Sequence, residues 1–577
     1  MHEATPANGP NRQTDWDCVN WRKANRIVRN LRQRIFRASQ EGKHRKVHSL
    51  QKLMLRCASN RLLSVRRVTQ VNAGKYTPGV DQVVVKTPAA RGKLVDDLSA
   101  YQPWRAKPAR RVYIPKTNGK LRPLGIPVVT DRCLQAMVKQ ALEPAWEARF
   151  EGGSYGFRPG RSCHDAMSRI HQIAKSGGTK PWVVDADIVG AFDHIDHEFL
   201  LRTIGPVPGR ELIRQWLKAR YSEDGVVHDT PAGTPQGGVI SPLLANIALH
   251  GMETALGANR LRRQGALPSR GVVRYADDFV VFCETRDDAE ACIRILTDWL
   301  KEQGLALSGE KTRIVHLTEG FDFLGFTVRR YQTRTTRSGY KLRITPSKTS
   351  GAKLRDRLRA EWRALRGNDV DTVLRRLNPI IRGWANYFRP QLAAKTFHDL
   401  DHWMFRREQR YTRRQHPRKS WAWRKARYWG KLNVKRRDTW VFGNKQTGRY
   451  LQKFGWTGSK RHILVRGTSS PDDPDLREYW RQRSKAGAAL LRPSDRKIAL
   501  TQDMQCPVCK ESLFNGEEVH KHHRQPRMQG GTDAYRNLVL VHLYCHQQLT
   551  RRQRDLGLLE PGAVEVARPV LRGEGPP

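Results

Sequence analysis

A multidomain α/β protein is predicted, and three observations predict it. The chain has 577 residues, too many for one hydrophobic core. Between about Val112 and Arg330, short apolar strands alternate with amphipathic helices, as in a sheet covered by helices. After Thr345 the chain turns helical and basic, and near its end Cys and His gather in one short stretch.

The elements follow in order. Residues 1–100 are basic, with helices expected over Trp21–Ser39 and His44–Asn72 and a loop from Gly74 to Val80 turned by Pro78-Gly79. A helix should begin at Ser162, capped with the help of Asp165, and present Ala166, Ile170 and Ile173 on one face. Trp182 to Ile188 reads as an apolar strand that ends on Asp187, and Val272 to Phe282 as strand, turn, strand. Ala289, Ile293, Leu296 and Leu300 have helical spacing within Asp287–Gln303, and Gly304 is a suitable stop. Gly467 to Pro474, rich in Ser, Asp and Pro, reads as a linker.

Charge narrows the partners. Lys and Arg number 105 against 55 Asp and Glu, a formal +50 that repels itself unless a polyanion is bound, and nucleic acid is the natural one. Between Trp403 and Arg437 cations and aromatics interleave, which gives a charged track with stacking platforms; Arg413, Arg414, Arg424 and Lys425 are its candidate phosphate contacts. A membrane-surface role fits less well, and neither a secretory segment nor a run of about 18 apolar residues is visible, so a cytoplasmic protein is expected. Cys18, Cys57, Cys133, Cys163, Cys283 and Cys292 lack framework spacing and read as buried thiols.

Tyr275-Ala276-Asp277-Asp278 places adjacent carboxylates at a hairpin tip, and Asp187 ends another apolar strand. Asp-Asp in a turn is weak by itself, because turns favour Asp for ordinary hydrogen-bonding reasons. Carboxylates from two strands, however, are what phosphoryl transfer needs to hold two divalent ions about 3.5–4 Å apart, and magnesium is the expected ion.

These residues resemble those of the reverse transcriptases, specifically the reverse transcriptase/maturase proteins encoded by bacterial group II introns. The resemblance extends through Ile114-Pro115-Lys116, Leu121 to Pro127, Ser154 to Ser162, Gly233 to Leu244, Gly309-Glu310-Lys311-Thr312 and Phe321 to Phe326. It implies a right-hand polymerase fold with fingers and palm over 101–335, preceded by an RNA-binding extension over 1–100. It makes Asp187, Asp277 and Asp278 the metal-binding acids and Phe192 the steric gate against a ribose 2′-hydroxyl. Lys116 and Arg122 would grip the incoming triphosphate, and Gln236 would contact the nucleotide. Val189 and Ala191 depart from the family pattern, where a basic residue and an aromatic are common, and put local packing and template affinity in question. Arg382 to Phe388 resembles the maturase motif and implies a helical thumb over 340–430. Trp384, Tyr387 and Phe388 share one helix face and read as core ahead of RNA-stacking residues. Residues 431–494 would be a DNA-binding region, although no groove-reading motif is visible there.

Cys506-Pro507-Val508-Cys509 with His542-Leu543-Tyr544-Cys545 supplies ligands for a closed tetrahedral zinc site, His520 being an alternative to His542. The surrounding residues over 495–577 resemble the HNH nucleases, which implies a small ββα-metal domain. By that resemblance His523 is the base, Asn537 orients it, and His522 with His546 holds the nuclease's divalent ion. The usual pattern has cysteine at His542 and aspartate at His522.

The expected function is that of an intron-encoded protein. It would copy RNA into DNA from deoxynucleoside triphosphates, bind its intron RNA to promote splicing, and nick target DNA so that the nick primes synthesis and the intron moves. A splicing-only RNA-binding maturase and a host-defence reverse transcriptase are the alternatives. Location on the nucleoid when target DNA is engaged is expected, and a homodimer is open. Polymerase and nuclease are expected to fail independently on substitution.

Overall fold

The computed structural model of the protein describes residues 13–100, 104–115, 121–175, 178–234, 236–258, 270–488, 491, 493–555 and 569–571. Lys116 lies outside the described residues.

The chain opens with helix Trp21–Gln40, capped by the Asn20 side chain, which accepts from Lys23 N at 2.9 Å. Trp21, Ala24, Val28, Leu31 and Ile35 bury one face. The single helix expected over 44–72 is instead two, His44–Arg56 and Ala58–Arg66, followed by a π-helical turn over Arg67–Val71. Cys57 is extended between them (φ −70°, ψ 119°). The Asn60 amide accounts for the break: it donates to Met54 O at 3.0 Å and to Met137 O at 3.2 Å, capping the first helix and tying the corner to helix Val129–Glu147. Helix Pro88–Asp97 was not expected, yet it starts on a Thr87 cap with Pro88 in its first turn.

The central sheet is antiparallel throughout, in the order Gly271–Tyr275, Asp278–Cys283, Trp182–Asp187, Arg313–His316. Strand alternation divides its side chains between two cores. Val183, Val273, Val280 and Phe282 face Met167, Ile170 and Ala174 of helix Cys163–Ala174. Val184, Ala186, Val272, Phe279 and Val281 face Ala289, Cys292, Leu296 and Leu300 of helix Arg286–Lys301. Both helices start where their caps place them, the first with a Ser162–Asp165 capping box and the second on Thr285. Gly304, at φ +73°, ends the second. A second four-stranded sheet has the order Leu121–Ile126, Ala109–Pro115, Tyr221–Glu223, Val226–His228, with Ala109–Pro115 parallel to Tyr221–Glu223 and the other pairs antiparallel.

Helices Lys348–Ala364, Val370–Phe388 and Ala394–Gln415 continue the first core. Phe388 is buried there, Trp384 and Tyr387 pack against it, and the Tyr387 hydroxyl donates to Leu324 O at 2.9 Å. These aromatics are therefore core. The stretch read as a linker, 467–474, is not one: Ser470 and Asp472 are buried, and Asp472 meets Arg32 of the first helix at 2.7 Å. Its polarity satisfies buried cations, so composition alone misled.

The C-terminal unit is a hairpin, Val519–His523 with Leu538–His542, followed by helix Leu543–Asp555. It shares a hydrophobic core with the N-terminal helices: Trp16, Trp21, Val65 and Val68 pack with Leu513, Val519, Leu538 and Leu540.

Candidate polymerase and nuclease sites

The ladder that builds the central sheet also assembles its acids. Asp187 pairs directly with Asp278, and Asp278 with Tyr275 across the hairpin, so Asp277 occupies the intervening turn. Ala276 takes φ +59° to make that turn. Gly156 lies against it so closely that a Cβ there would meet Ala276 N at 2.3 Å. Buried Arg274 braces the turn from behind, donating to Ala276 O and Asn246 Oδ1, both at 3.1 Å, while Asn246 donates to Gly156 O at 2.9 Å.

Asp278 is reached by solvent, yet surrounding protein followed by the charges of Asp277 and Asp187 pushes its carboxyl up to about 7. Burial raises Asp277 as well, with Asp187 adding to it. Lys311 pairs with Asp187, and that hydrogen bond raises the lysine. Crowded carboxylates with one lysine between them retain the unrelieved negative charge that suits divalent cations.

Of the expected substrate residues, Arg122 acts on these acids, its charge lowering Asp277 against that rise, and it also meets Gln236. Arg122 Nε donates to Gln236 Oε1 at 2.6 Å, and Gln236 Nε2 reaches Asp193 at 3.3 Å. Phe192, adjacent to Asp193, is buried, with the exposed Phe157 ring 6.2 Å away edge to face. Lys311, which motif reading left without a role, is the residue that pairs with Asp187; the Gly309 to Thr312 box held the signal.

The C-terminal cluster is equally definite. Ligand atoms of Cys506, Cys509, His542 and Cys545 lie within 4.8 Å of one another, and all four residues are buried. Cys509 Sγ is 3.3 Å from His542 Nδ1, and the other ring nitrogen lies 3.1 Å from Ser512 O, an arrangement that leaves Nδ1 for a metal. His520 is apart, with Nε2 3.3 Å from Glu518. The donor set suits a closed tetrahedral ion.

His522 and His546 sit with rings 5.0 Å apart; His522 Nδ1 and His546 Nε2 are buried with no hydrogen-bond partner among the described residues. Burial lowers both to about 4, which keeps the rings neutral and able to ligate. His523 Nε2 lies 2.7 Å from Asp533 Oδ1, which Arg527 also binds at 2.6 Å. Asp533, a lone acid in a loop, gave no sequence signal. The Asn537 amide bonds Gln525 N and O at 2.8 and 3.0 Å and Thr532 O at 2.9 Å, so it orders the loop that follows His523.

In the thumb, Arg359, Arg363, Arg366, Arg407, Arg410 and Arg414 line a cavity of about 340 Å³. Arg413 is exposed beside it, while Arg424 and Lys425 lie over Trp421 and Trp440 at 5.6 and 4.3 Å. Arg407, Arg410 and Arg414 share helix Ala394–Gln415 and belong to the basic stretch expected to meet phosphate; Arg359 and Arg363, from helix Lys348–Ala364, and Arg366, just after it, carried no such expectation.

Family models match the chain in this order. Residues 16–98 match the N-terminal domain of reverse transcriptase and 114–328 the reverse transcriptase (RNA-dependent DNA polymerase). Residues 352–429 match the group II intron maturase-specific domain, and 506–552 the HNH endonuclease. Protein YkfC of Escherichia coli K12 is 38% identical over 47% of this chain and 81% of its own length. The group II intron-encoded protein LtrA of Lactococcus lactis subsp. cremoris is 33% identical over 41% of this chain and 49% of its own. The chain belongs to the group II intron-encoded reverse transcriptases. This reverse transcriptase carries a maturase domain and an HNH endonuclease domain, and it spans about half the length of LtrA. A protein in the cob intron of Schizosaccharomyces pombe is 28% identical over 51% of this chain and 45% of its own. Among the described residues no helix is long and apolar enough to cross a membrane.

Proposed function

We propose that this reverse transcriptase extends DNA at Asp187, Asp277 and Asp278, grips intron RNA to promote splicing, and nicks target DNA with its C-terminal unit, the nick serving as primer. The observation that carries the reading is the direct pairing of Asp187 with Asp278 beside Asp277 at one hairpin tip. Magnesium ions held by these carboxylates would activate the attacking hydroxyl and stabilise the leaving oxygen. Lys311 counters the acids' mutual repulsion and helps keep them charged. Arg122, oriented by Gln236, offers the triphosphate a guanidinium fork, Lys116 adds a point charge, and Phe192 fills the space of a 2′-hydroxyl.

In the C-terminal unit His523 takes a proton from water, with Asp533 fixing its ring and Asn537 the loop behind it. His522 and His546 would hold the divalent ion that stabilises phosphate charge. Cys506, Cys509, His542 and Cys545 would hold zinc as a cross-link. Residues 1–100, 101–335, 340–430, 431–494 and 495–577 are assigned as RNA-binding extension, fingers and palm, thumb, DNA-binding region and nuclease. The working location is the cytoplasm, on the nucleoid when target DNA is engaged.

The test is extension of a primed RNA template with magnesium. Asp277→Ala should lose several orders of magnitude of synthesis while filter binding of intron RNA persists; synthesis at the parent rate would overturn the site assignment.

A further inference from the structure

The Cys/His cluster has a neighbour from the other end of the chain. Arg66, the last residue of helix Ala58–Arg66, is 4% exposed and lies with its guanidinium 4.7 Å above the Trp21 ring. One of its terminal nitrogens reaches Glu517 Oε2 at 2.8 Å and also Cys545 Sγ, a cluster atom, at 3.5 Å. The same interface is bonded on every side. Asn25 Nδ2 donates to Cys509 O at 3.4 Å, Arg29 pairs with Glu511, and the Tyr544 hydroxyl donates to Gln70 O at 2.6 Å. Trp16, Trp21, Val65 and Val68 share one core with Cys506, Cys509 and Cys545.

Charge explains what Arg66 does there. Thiolates at Cys506, Cys509 and Cys545, a neutral His542 and a divalent ion sum to one negative charge, buried away from water. A guanidinium donating to a ligand sulfur stabilises the thiolate form that binds metal. Groups that touch a ligand and not the ion commonly change metal affinity by about 10–100-fold. We propose that Arg66 is the positioning cation of the C-terminal metal cluster, so that the nuclease's structural metal and the N-terminal helices are retained or lost together. Metal retention then couples an RNA-binding end to a DNA-cutting end. The inference rests on the reading of the cluster as a zinc site.

Two measurements on the full-length protein test it. In the first, zinc affinity is read by competition with a chromogenic chelator. Arg66→Met, which keeps bulk over Trp21 and removes the charge, should bind zinc about 10–100-fold more weakly. Arg66→Lys, which keeps the charge, should recover most of that loss. Affinity within twofold of the parent in Arg66→Met, or equal losses in both variants, would overturn the role of the charge. In the second, chelator stripping of the unmutated protein should speed amide exchange over residues 58–71, and this arm stands even if Arg66→Met fails to fold. Unchanged exchange there would overturn the coupling. A parent protein that retains no zinc would instead remove the zinc reading itself, which separates the two failures.

Discussion

Glu408 is a buried acid outside the proposed chemistry, and it shows how burial alone tunes a residue. Burial holds its carboxyl up at about 7, against the pull of Trp429 Nε1 at 3.1 Å and of Lys453; Asp401 adds to the rise. The folded state therefore keeps this proton to higher pH than the unfolded chain does, whose usual value is 4.5. Stability from this group is complete below that value and is lost as pH rises through about 7. Glu408→Gln, neutral throughout, should flatten the decline in thumb stability between pH 5 and pH 8 by about 3 kcal/mol, at about 1.4 kcal/mol per unit. Denaturant titrations followed by tryptophan fluorescence would show it; equal declines would mean that Glu408 ionises freely. Phe192 offers a second residue-scale outcome, since its ring is buried and meets only the exposed Phe157 ring, edge to face, among the described ring contacts. Phe192→Val should raise ribonucleotide incorporation by about 10–100-fold in single-nucleotide extension, and an unchanged ratio would remove Phe192 from the gate. The grouping of Asp187 with Asp277 was legible only from the two segments together, because an acid in one turn has ordinary hydrogen-bonding uses. Asp533 and Glu408 were not, because a lone acid in a loop or a basic helix looks like solvation.

At the scale of an element, the catalytic hairpin is positioned by contacts that periodicity cannot reveal. Its strands were legible from their apolar runs, and the helices that cover it from capping residues and from spacing, as at Ser162–Asp165 and Ala289 to Leu300. What holds the turn in place is the loop around Gly156, bridged by Asn246 and Arg274. Gly156→Ala should push the loop off Ala276 N, since the added Cβ would lie 2.3 Å from it and backbone cannot yield like a side chain. A displacement of about 1 Å costs on the order of 10²-fold in rate, so kcat should fall that far while RNA binding and thermal stability hold. A variant with parent kcat would show that the turn is set by the strands alone. The break at Cys57 and the buried 467–474 segment escaped the sequence for the same reason: Asn60 and Asp472 act on partners distant in the chain, Met137 and Arg32.

For the whole molecule, ends far apart in sequence close on one another. Composition could not show that Trp16, Trp21, Val65 and Val68 share a core with the C-terminal hairpin, because each segment looks like an ordinary amphipathic piece. The Cys and His spacing did point to four residues that the fold brings within 4.8 Å of one another, a group that could hold a metal ion. This closure changes what two nuclease substitutions should do. Cys506 is fully buried within the shared core, whereas His523 bonds Asp533 in an exposed loop. His523→Ala should therefore keep zinc, keep its melting profile and lose strand-specific nicking. Cys506→Ala should lose zinc and nicking, and should also loosen the N-terminal helices and weaken intron RNA binding, which separate domains would not do. Extension of an already primed template should survive both, because the acids belong to a sheet whose two faces are filled by other side chains, Val183 and Phe282 on one and Val184 and Phe279 on the other. Zinc content, nicking, RNA binding and extension measured on the two proteins together decide it. If Cys506→Ala binds intron RNA as tightly as His523→Ala does, the shared core is not what holds the RNA-binding end in shape.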